Sequence, residues 1–422
     1  MSISKKTIKD IDVKGKRVLM RVDFNVPIKN GVIQDDTRIT AALPSIKYVL
    51  DQGANSLVLM SHLGDPKKDM KKAKEKAEKA GKSFNEDDYI NGHHKLIPIG
   101  AHLSKLLGKP VQMTPSCTGQ ETESIINGLS NGGIALLENT RFHKEETSDS
   151  AEDRERLAKE LAKYGDVYVN DAFGTAHRAH SSTETVARFL PAVAGFLMEK
   201  ELEFLDEKVV KSPAKPFVAI IGGAKVSSKI TVIETLMDKV NKIIIGGGMA
   251  FTFFKAMGKE VGTSLCEEDQ LDVARKTIEK AKQKNVELLL QTDAVVASAF
   301  SNEADSKTVD INSIPKDMMG LDIGPKSIEE FKKALADAKT VFWNGPVGVF
   351  EMEKYARGTI EIANTLASLK GAITVIGGGD SVSAVNKAGV SDKMSHISTG
   401  GGASMELVEG KVLPGVAALN NK

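Results

Sequence analysis

Short, nearly continuous apolar runs alternate along this chain with longer segments of helical periodicity. Runs that are apolar throughout suit strands covered on both faces, and the periodic stretches between them suit the crossover helices that parallel strands require. In the first half the pattern predicts strands at 17–22, 56–60, 133–137 and 166–169. In the second half it predicts them at 217–221, 242–245, 286–290, 340–343 and 372–376. Between the halves, 191–211 carries Val193, Phe196, Leu197, Phe204 and Leu205 close to one helical face, before Ser212, Pro213 and Pro216 break the pattern. The expected architecture is α/β: two Rossmann-like lobes with parallel sheets, over 1–190 and 212–404, joined by a hinge helix at 191–211 with an open cleft between them.

One polar stretch interrupts this pattern. After the run at 56–60 the chain reads SHLGDPKK, and 67–95 is rich in lysine. Lys71 with Glu75, Lys74 with Glu78 and Glu75 with Lys79 are spaced as ion pairs on a helix face, which predicts a solvated surface helix rather than a nucleic-acid patch. His93, His94 and His102, in or near this stretch, read as surface residues.

Composition narrows the function. The chain has 422 residues, enough for two cores, and with 41% hydrophobic and 27% charged residues it can bury both. A formal net charge of +1 argues against a general polyanion binder, so any anion site must be local and no nucleic-acid partner is expected. The opening MSISKKTIKDID has no apolar stretch of a secretory signal, and no run approaches the roughly 18 apolar residues of a membrane span. A cytoplasmic protein without a membrane partner is expected. Cys117 and Cys266 lie far apart and outside any zinc-ligand spacing, which suggests neither a disulfide framework nor a zinc site.

In open parallel sheets ligands gather beyond the carboxyl ends of the strands, and there the two halves differ. First-half runs lead into Asp23-Phe24-Asn25, into His62-Leu63-Gly64, into Glu138 to Arg141, and into Asn170 to Phe173 followed by GTAHRAHSS. Arg38, Arg141 and Arg178, with His62, His177 and His180, can converge from these loops on a small, multiply anionic, hydroxylated molecule. Guanidinium forks suit carboxylate and phosphate oxygens, while Asp23 and Asn25 can hold a hydroxyl. Second-half runs lead into Gly222-Gly223-Ala224-Lys225, Gly246 to Gly248, Asn344-Gly345-Pro346 and Gly377-Gly378-Gly379-Asp380-Ser381, with Gly400 to Gly402 further on. Glycines between strand and helix let backbone N–H groups approach phosphates at a helix N-terminus, which points to a nucleotide. Tight packing alone explains one such cluster, but four in one half exceed it. Lys225 and Lys229 are expected on one face of the helix that opens there, aimed at phosphates. Asp380 is either an N-cap or, beside phosphates, a Mg²⁺ ligand.

Rival chemistries lack their motifs. There is no GxxxxGK[ST], no protein-kinase HRD and DFG set, no GxSxG and no HExxH. A nucleotide-dependent oxidoreductase would share the strands and glycine turns but should show GxGxxG after a strand, which is missing. A two-lobed binding protein without chemistry fits poorly with Lys225, Lys229 and Asp380 opposite an arginine-bearing site. An anion pocket on one domain and a nucleotide pocket on the other, joined by a hinge, suggest phosphoryl transfer between two substrates with water excluded.

Ten stretches, in order and over essentially the whole chain, resemble the phosphoglycerate kinase family: RVDFNVP (21–27), DDTRI (35–39), SHLG (61–64), LLENTRF (136–142), VNDAFGTAHRAHSS (169–182), GGAKVSSK (222–229), GGGMAFTF (246–253), VFWNGPVGVFE (341–351), VIGGGDS (375–381) and STGGGASMELVEGKVLPGV (398–416). The resemblance implies reversible, Mg²⁺-dependent transfer of the 1-phosphoryl group of 1,3-bisphosphoglycerate to ADP, giving 3-phosphoglycerate and ATP. It also implies a monomer whose last segment, 405–422, returns to the first domain. Carried onto this chain, it gives Asp23, Phe24 and Asn25 to the glycerate end, and His62, Leu63, Gly64, Arg141 and Arg178 to the phosphate that is not transferred. Arg38 would stabilise the transferring phosphoryl group, Lys225 would follow it, and Lys229 would grip the nucleotide phosphates. Gly222, Gly223, Gly247, Gly248 and Gly320 would wall the adenine, Glu351 would take the ribose, Asn344 a phosphate and Asp380 the metal. Backbone N–H groups of Gly378, Gly379 and Ser381 would stabilise phosphate charge, and Gly401 with its neighbours would do so in the closed form.

Two positions depart from the family pattern. Ser381 replaces the usual threonine and keeps the hydroxyl. Asp65 stands where the family usually has a substrate-binding arginine, which reverses a charge in the anion pocket. Either Lys67, Lys68 or another lysine of 67–95 restores the cation, or Asp65 faces solvent and Arg38, Arg141 and Arg178 suffice.

Overall fold

The computed structural model describes residues 3–29 and 31–422. Met1, Ser2 and the start of the 1–190 domain expectation therefore fall partly outside the described residues. The chain forms two compact units, one running to Leu202 and completed by Val412–Lys422, the other spanning Glu203–Lys411.

The first unit is built on a six-stranded parallel sheet. Its strands are β1 (Arg17–Val22), β2 (Ser56–Met60), β3 (Val111–Met113), β4 (Gly133–Leu136), β5 (Val167–Asp171) and β6 (Ala192–Ala194), in the order β3-β4-β2-β1-β5-β6. β1 lies at the centre, with Leu19 opposite Val58 on one side and Tyr168 on the other. Helices cover both faces, which is why these strands are apolar throughout. Helix α1 (Thr37–Asp51) packs Ile39, Ala42, Ile46 and Val49 against Val18, Met20, Leu57 and Leu59. The chain fills positions on one side of β1 first and then crosses to β5, so the sheet's switch point lies at the carboxyl ends of β1 and β5.

The second unit repeats the plan with β7 (Phe217–Ile221), β8 (Lys242–Ile245), β9 (Glu287–Leu290), β13 (Thr340–Asn344), β14 (Ile373–Gly377) and β15 (His396–Ile397), ordered β9-β8-β7-β13-β14-β15. Val218, Ile220, Ile244, Trp343 and Ile376 share its core with Phe331, Leu335, Ile362 and Leu366 from the covering helices. Its switch point lies between β7 and β13. A small antiparallel sheet, β10 (Asp293–Ala297), β11 (Ser306–Asp310) and β12 (Met319–Ile323), in the order β11-β10-β12, was not foreseen. β11 is polar and largely solvated, so it carries no apolar run to detect.

The 191–211 segment is not one helix. Ala192–Ala194 pairs with β5 as the edge strand, so Val193 belongs to a sheet. An α-helix covers Phe196–Glu201, and a wider π-helical winding continues over Leu202–Lys211, burying Leu202, Leu205 and Val209. The returning segment starts at Val412, later than 405, because the helix Gly402–Val408 stays in the second unit. From Val412 onward the tail is bound into the first unit: Gly415 N–H donates to Ala176 at 2.8 Å and Asn420 N–H to Ala192 at 2.9 Å. Among the described residues no helix is long and apolar enough to cross a membrane.

Between β2 and β3 the lysine-rich stretch folds as α2 (Pro66–Lys79) and α3 (Glu86–His93). α2 is a solvated helix, but none of the three expected ion pairs along it closes; Lys74 instead reaches Glu86 of α3 at 3.1 Å.

Candidate active site

In the first unit the loops leaving β1, β2, β4 and β5 form a basin lined with cations. Arg38, at the start of α1, makes a 2.9 Å salt bridge to Asp23 Oδ2, and Asn25 N–H donates to Asp23 Oδ1 at 3.2 Å. Asn25 Oδ1 accepts Gly64 N–H at 2.9 Å, which leaves its Nδ2 as the end without a partner among the described residues. Arg141 donates from one terminal nitrogen to the Gly64 carbonyl at 2.7 Å, while its Nε is buried and unpartnered. Arg178, in the loop after β5, is exposed. Phe24 and Leu63 differ from expectation: both side chains are buried in the core, so only their backbone faces the basin.

Sequence reading missed the layer behind the basin. Arg21 sits fully buried in β1, donating through Nε to Ser182 Oγ at 2.8 Å and through a terminal nitrogen to His62 Nδ1 at 3.2 Å. A guanidinium only donates, so His62 Nδ1 must accept and Nε2 carries the hydrogen. Buried Glu146 neutralises part of this charge and takes both the N–H and hydroxyl of Ser182. The signal was an arginine inside an otherwise apolar strand, which needs a buried partner.

Burial first, then Arg21, Arg141, His180 and Arg38, hold the His62 imidazole well below its usual range, so it is a neutral N–H donor. Burial and the guanidinia of Arg141, Arg21 and Arg178 likewise push His180 down to about 3. Burial also lowers Arg141, and Arg21 adds to this, while Asp65, Glu146 and Asp23 oppose it. Four arginines and two neutral histidines therefore present a positive field ready for an anion. The low His180 value has a consequence for stability. Between its folded value of about 3 and the unfolded value near 6.5 only the unfolded chain takes the proton, so His180 makes stability fall as pH drops through that window, by at most about 1.4 kcal/mol per pH unit. Denaturant midpoints measured from pH 7 to 4 should show a shallower acid limb in His180→Gln than in the parent.

Asp65 has a structural part at the edge of the basin. Its carboxylate caps α2, accepting Lys68 N–H at 3.2 Å, and Lys67 and Lys68 are exposed on the first turn. His94 also departs from expectation: its ring is buried rather than at the surface. His102 pairs with Asp36 at 2.9 Å.

In the second unit a cavity of about 380 Å³ opens at the switch point. Gly223, Ala224, Gly247 and Gly248 form one wall, Phe251, Leu265, Leu321, Val347 and Val349 give it apolar surface, and Asp322, Glu351 and Asp380 supply its carboxylates. Two glycines are required by close approach. A Cβ on Gly222 would run into the Pro346 carbonyl, and one on Gly320 would run into the Phe251 ring. Gly222 thus shapes the crossing behind the wall, while Gly320 lines the cavity.

The two lysines are arranged differently from expectation. The helix begins at Ile230, so Lys225 and Lys229 lie in the turn before it and do not share a helix face. Lys225 is exposed and its ammonium has no partner among the described residues. Lys229 is largely buried and donates to Asn344 Oδ1, while Asn344 Nδ2 donates to the Gly377 carbonyl at 2.7 Å. Asn344 thereby holds Lys229 in place, and the second hydrogen of its Nδ2 is left over from these two bonds. Burial lowers the Lys229 ammonium, and Asp380 and Glu409 oppose that shift.

Gly378, at φ +88, caps the helix Gly379–Lys387, whose first turn carries Asp380 exposed at the cavity. Ser381 Oγ is buried and accepts Gly345 N–H at 2.6 Å, so this hydroxyl is structural. Gly401, at φ +52, caps the helix Gly402–Val408 and does not line the cavity. Among the described residues no cluster of three or more His, Cys, Asp or Glu could hold a metal. Asp380 alone suits Mg²⁺, which takes one or two carboxylates and completes its shell with phosphates and water.

Residues 8–411 match the family model described as phosphoglycerate kinase. The chain is 56% identical over 426 residues to the chloroplastic phosphoglycerate kinase of Chlamydomonas reinhardtii, covering 99% of this chain and 87% of that protein. It is 50% identical over 417 residues to the phosphoglycerate kinase of Treponema pallidum (strain Nichols), covering 98% and 99%. Among solved structures, the phosphoglycerate kinase from Coxiella burnetii superposes with a TM-score of 0.84 at 38% identity, and that from Pyrococcus horikoshii OT3 with 0.79 at 31%; each comparison covers 98% of both chains.

Proposed function

The chain belongs to the phosphoglycerate kinase family, and from that premise we propose how its own residues carry the reaction. The activity is reversible transfer of the 1-phosphoryl group of 1,3-bisphosphoglycerate to ADP, giving 3-phosphoglycerate and ATP. The observation that carries the assignment of roles is the set of Arg38 and Arg141 around a neutral, buried His62, with Arg178 beside the neighbouring His180.

In the first unit Arg141, Arg178 and the Nε2–H of His62 bind the phosphate that is not transferred, and the backbone at Gly64 orients Arg141. Asp23 and the free amide end of Asn25 take the glycerate hydroxyl. Arg38 stands at the carboxylate that accepts or releases the phosphoryl group. In the second unit the apolar, glycine-lined cavity takes the flat base and Glu351 the ribose hydroxyls. Lys229 holds the nucleotide phosphates, and the N–H groups of Gly378, Gly379 and Ser381 meet them at a helix start. Lys225, without a partner among the described residues, is available to the group in flight.

Phosphoryl transfer passes through a loose transition state, so positioning and neutralisation of the equatorial oxygens suffice without a covalent enzyme intermediate. In the ATP-forming direction the bond between phosphorus and the acyl oxygen breaks as a terminal oxygen of ADP bonds to phosphorus. In-line transfer also requires the two ligands to meet with water excluded, for which closure between the units is proposed. Asp380 would hold Mg²⁺, which when bound neutralises phosphate charge. A monomer in the cytosol completes the reading; the two free thiols, Cys117 and Cys266, suit a reducing compartment.

A coupled assay with ATP and 3-phosphoglycerate tests it. Turnover should depend on Mg²⁺ and stop with a chelator; a folded protein inactive with these substrates would overturn the proposal.

A further inference from the structure

The lysine-rich stretch between β2 and β3 returns to the basin. Although its surroundings in sequence are polar, the His94 ring is buried, 3% exposed, beneath the turn that follows β2. His94 Nδ1 lies 3.1 Å from the Leu63 carbonyl, which only accepts, so Nδ1 carries the hydrogen and donates. Asn139 Nδ2 donates to the same carbonyl at 2.8 Å and to the His94 carbonyl at 3.0 Å, fixing the ring's own backbone. From the first turn of α2, Asp69 Oδ2 accepts Asp65 N–H at 2.8 Å. The ring and this carboxylate stand 4.0 Å apart and close together over Gly64, where a Cβ would lie 2.7 Å from His94 Cε1 and 3.0 Å from Asp69 Oδ2.

The turn is therefore held from both sides. The Leu63 carbonyl is shared by His94 and Asn139, and the Asp65 N–H is taken by Asp69. The Gly64 N–H and carbonyl between them are taken by Asn25 and Arg141, which face the basin. We infer that His94 and Asp69 are positioning residues, fixing the Leu63–Asp65 backbone so that Arg141 and Asn25 present their remaining polar groups to the substrate. Asp65 has a part in this: its carboxylate caps α2 while its N–H is gripped by Asp69, a reciprocal cap that sets the angle at which α2 leaves the turn. Displacing a substrate-orienting backbone by even an ångström is costly in an enzyme site. The stretch thus serves as a splint for substrate binding. The inference rests on the roles proposed above for Arg141 and Asn25.

The test compares His94→Leu, which keeps bulk but loses the donor, with His94→Asn, whose Nδ2 falls where the imidazole Nδ1 was. In the full chain His94→Leu should raise KM for 3-phosphoglycerate by about 3- to 10-fold, the size of one lost hydrogen bond, with KM for ATP within about 2-fold. His94→Asn should recover most of the loss. Asp69→Ala, at a partly exposed position that opens no core, should shift KM in the same direction and keeps the test in hand if His94→Leu does not fold. An active parent with unchanged KM for 3-phosphoglycerate in all three variants would overturn the inference, as would both KM values rising together. A folded parent without turnover would overturn the reading of the site as well.

Discussion

Arg38→Ala should lower kcat for phosphorylation of 3-phosphoglycerate by about 10²- to 10³-fold, the range seen when a preorganised group that meets transition-state charge is removed. The side chain is partly buried, among the described residues its hydrogen-bond partner is Asp23, and its charge acts on His62, so it is held in the basin without being locked into the core. That single, semi-exposed ion pair is worth at most about 1 kcal/mol, so the variant should melt close to the parent and its defect should be kinetic. KM for 3-phosphoglycerate should move much less than kcat, because Arg141, Arg178 and His62 still bind the other phosphate. Arg38→Lys should recover only part of the rate, since an ammonium is a point charge without the guanidinium fork. Steady-state kinetics on both variants decide the matter: a kcat within 10-fold of the parent in Arg38→Ala would remove Arg38 from the transferring group.

Why the central strands could be read and their surroundings could not has a physical cause. β1, β2, β7 and β8 are buried on both faces, so their apolar runs stand out from the amphipathic helices beside them. β3, β6 and β15 are edge strands of two or three residues, too short for any periodicity. Val193 fitted a helical face equally well and became a strand because β5 offered it a partner.

Within the site, glycine clusters and arginines at strand ends were legible because close approach and anion binding leave few residue choices. Asp65 was legible as an anomaly but not as a cap, because local charge reads the same whether a carboxylate faces a ligand or a helix N-terminus. His94 was invisible for the opposite reason: its sequence neighbours are polar, and only the return of the chain over Gly64 buries it. The same limit applied to Asn344, whose partners Lys229 and Gly377 are brought together only by the sheet.

Lys229→Ala should weaken ADP and ATP binding by about 10- to 100-fold, corresponding to the roughly 1.5–3 kcal/mol of a charge-assisted hydrogen bond to a phosphate. The ammonium is largely desolvated, which strengthens its attraction for an incoming anion, and Asn344 holds it in place at the carboxyl end of β13. Removing it also strands Asn344 Oδ1 in a buried position, so some loss of stability should accompany the loss of affinity. The two effects can be separated through Asn344→Ala, which leaves the charge but frees it to wander. That variant should bind nucleotide more weakly than the parent but more tightly than Lys229→Ala. Because the pair acts as a unit, the double variant should be little worse than Lys229→Ala alone, a coupling that independent contacts would not show. Calorimetric titration with ADP, beside thermal melts of each protein, measures all three quantities. An ADP Kd unchanged within about 2-fold in Lys229→Ala would mean that the phosphates lie elsewhere than at the start of this helix.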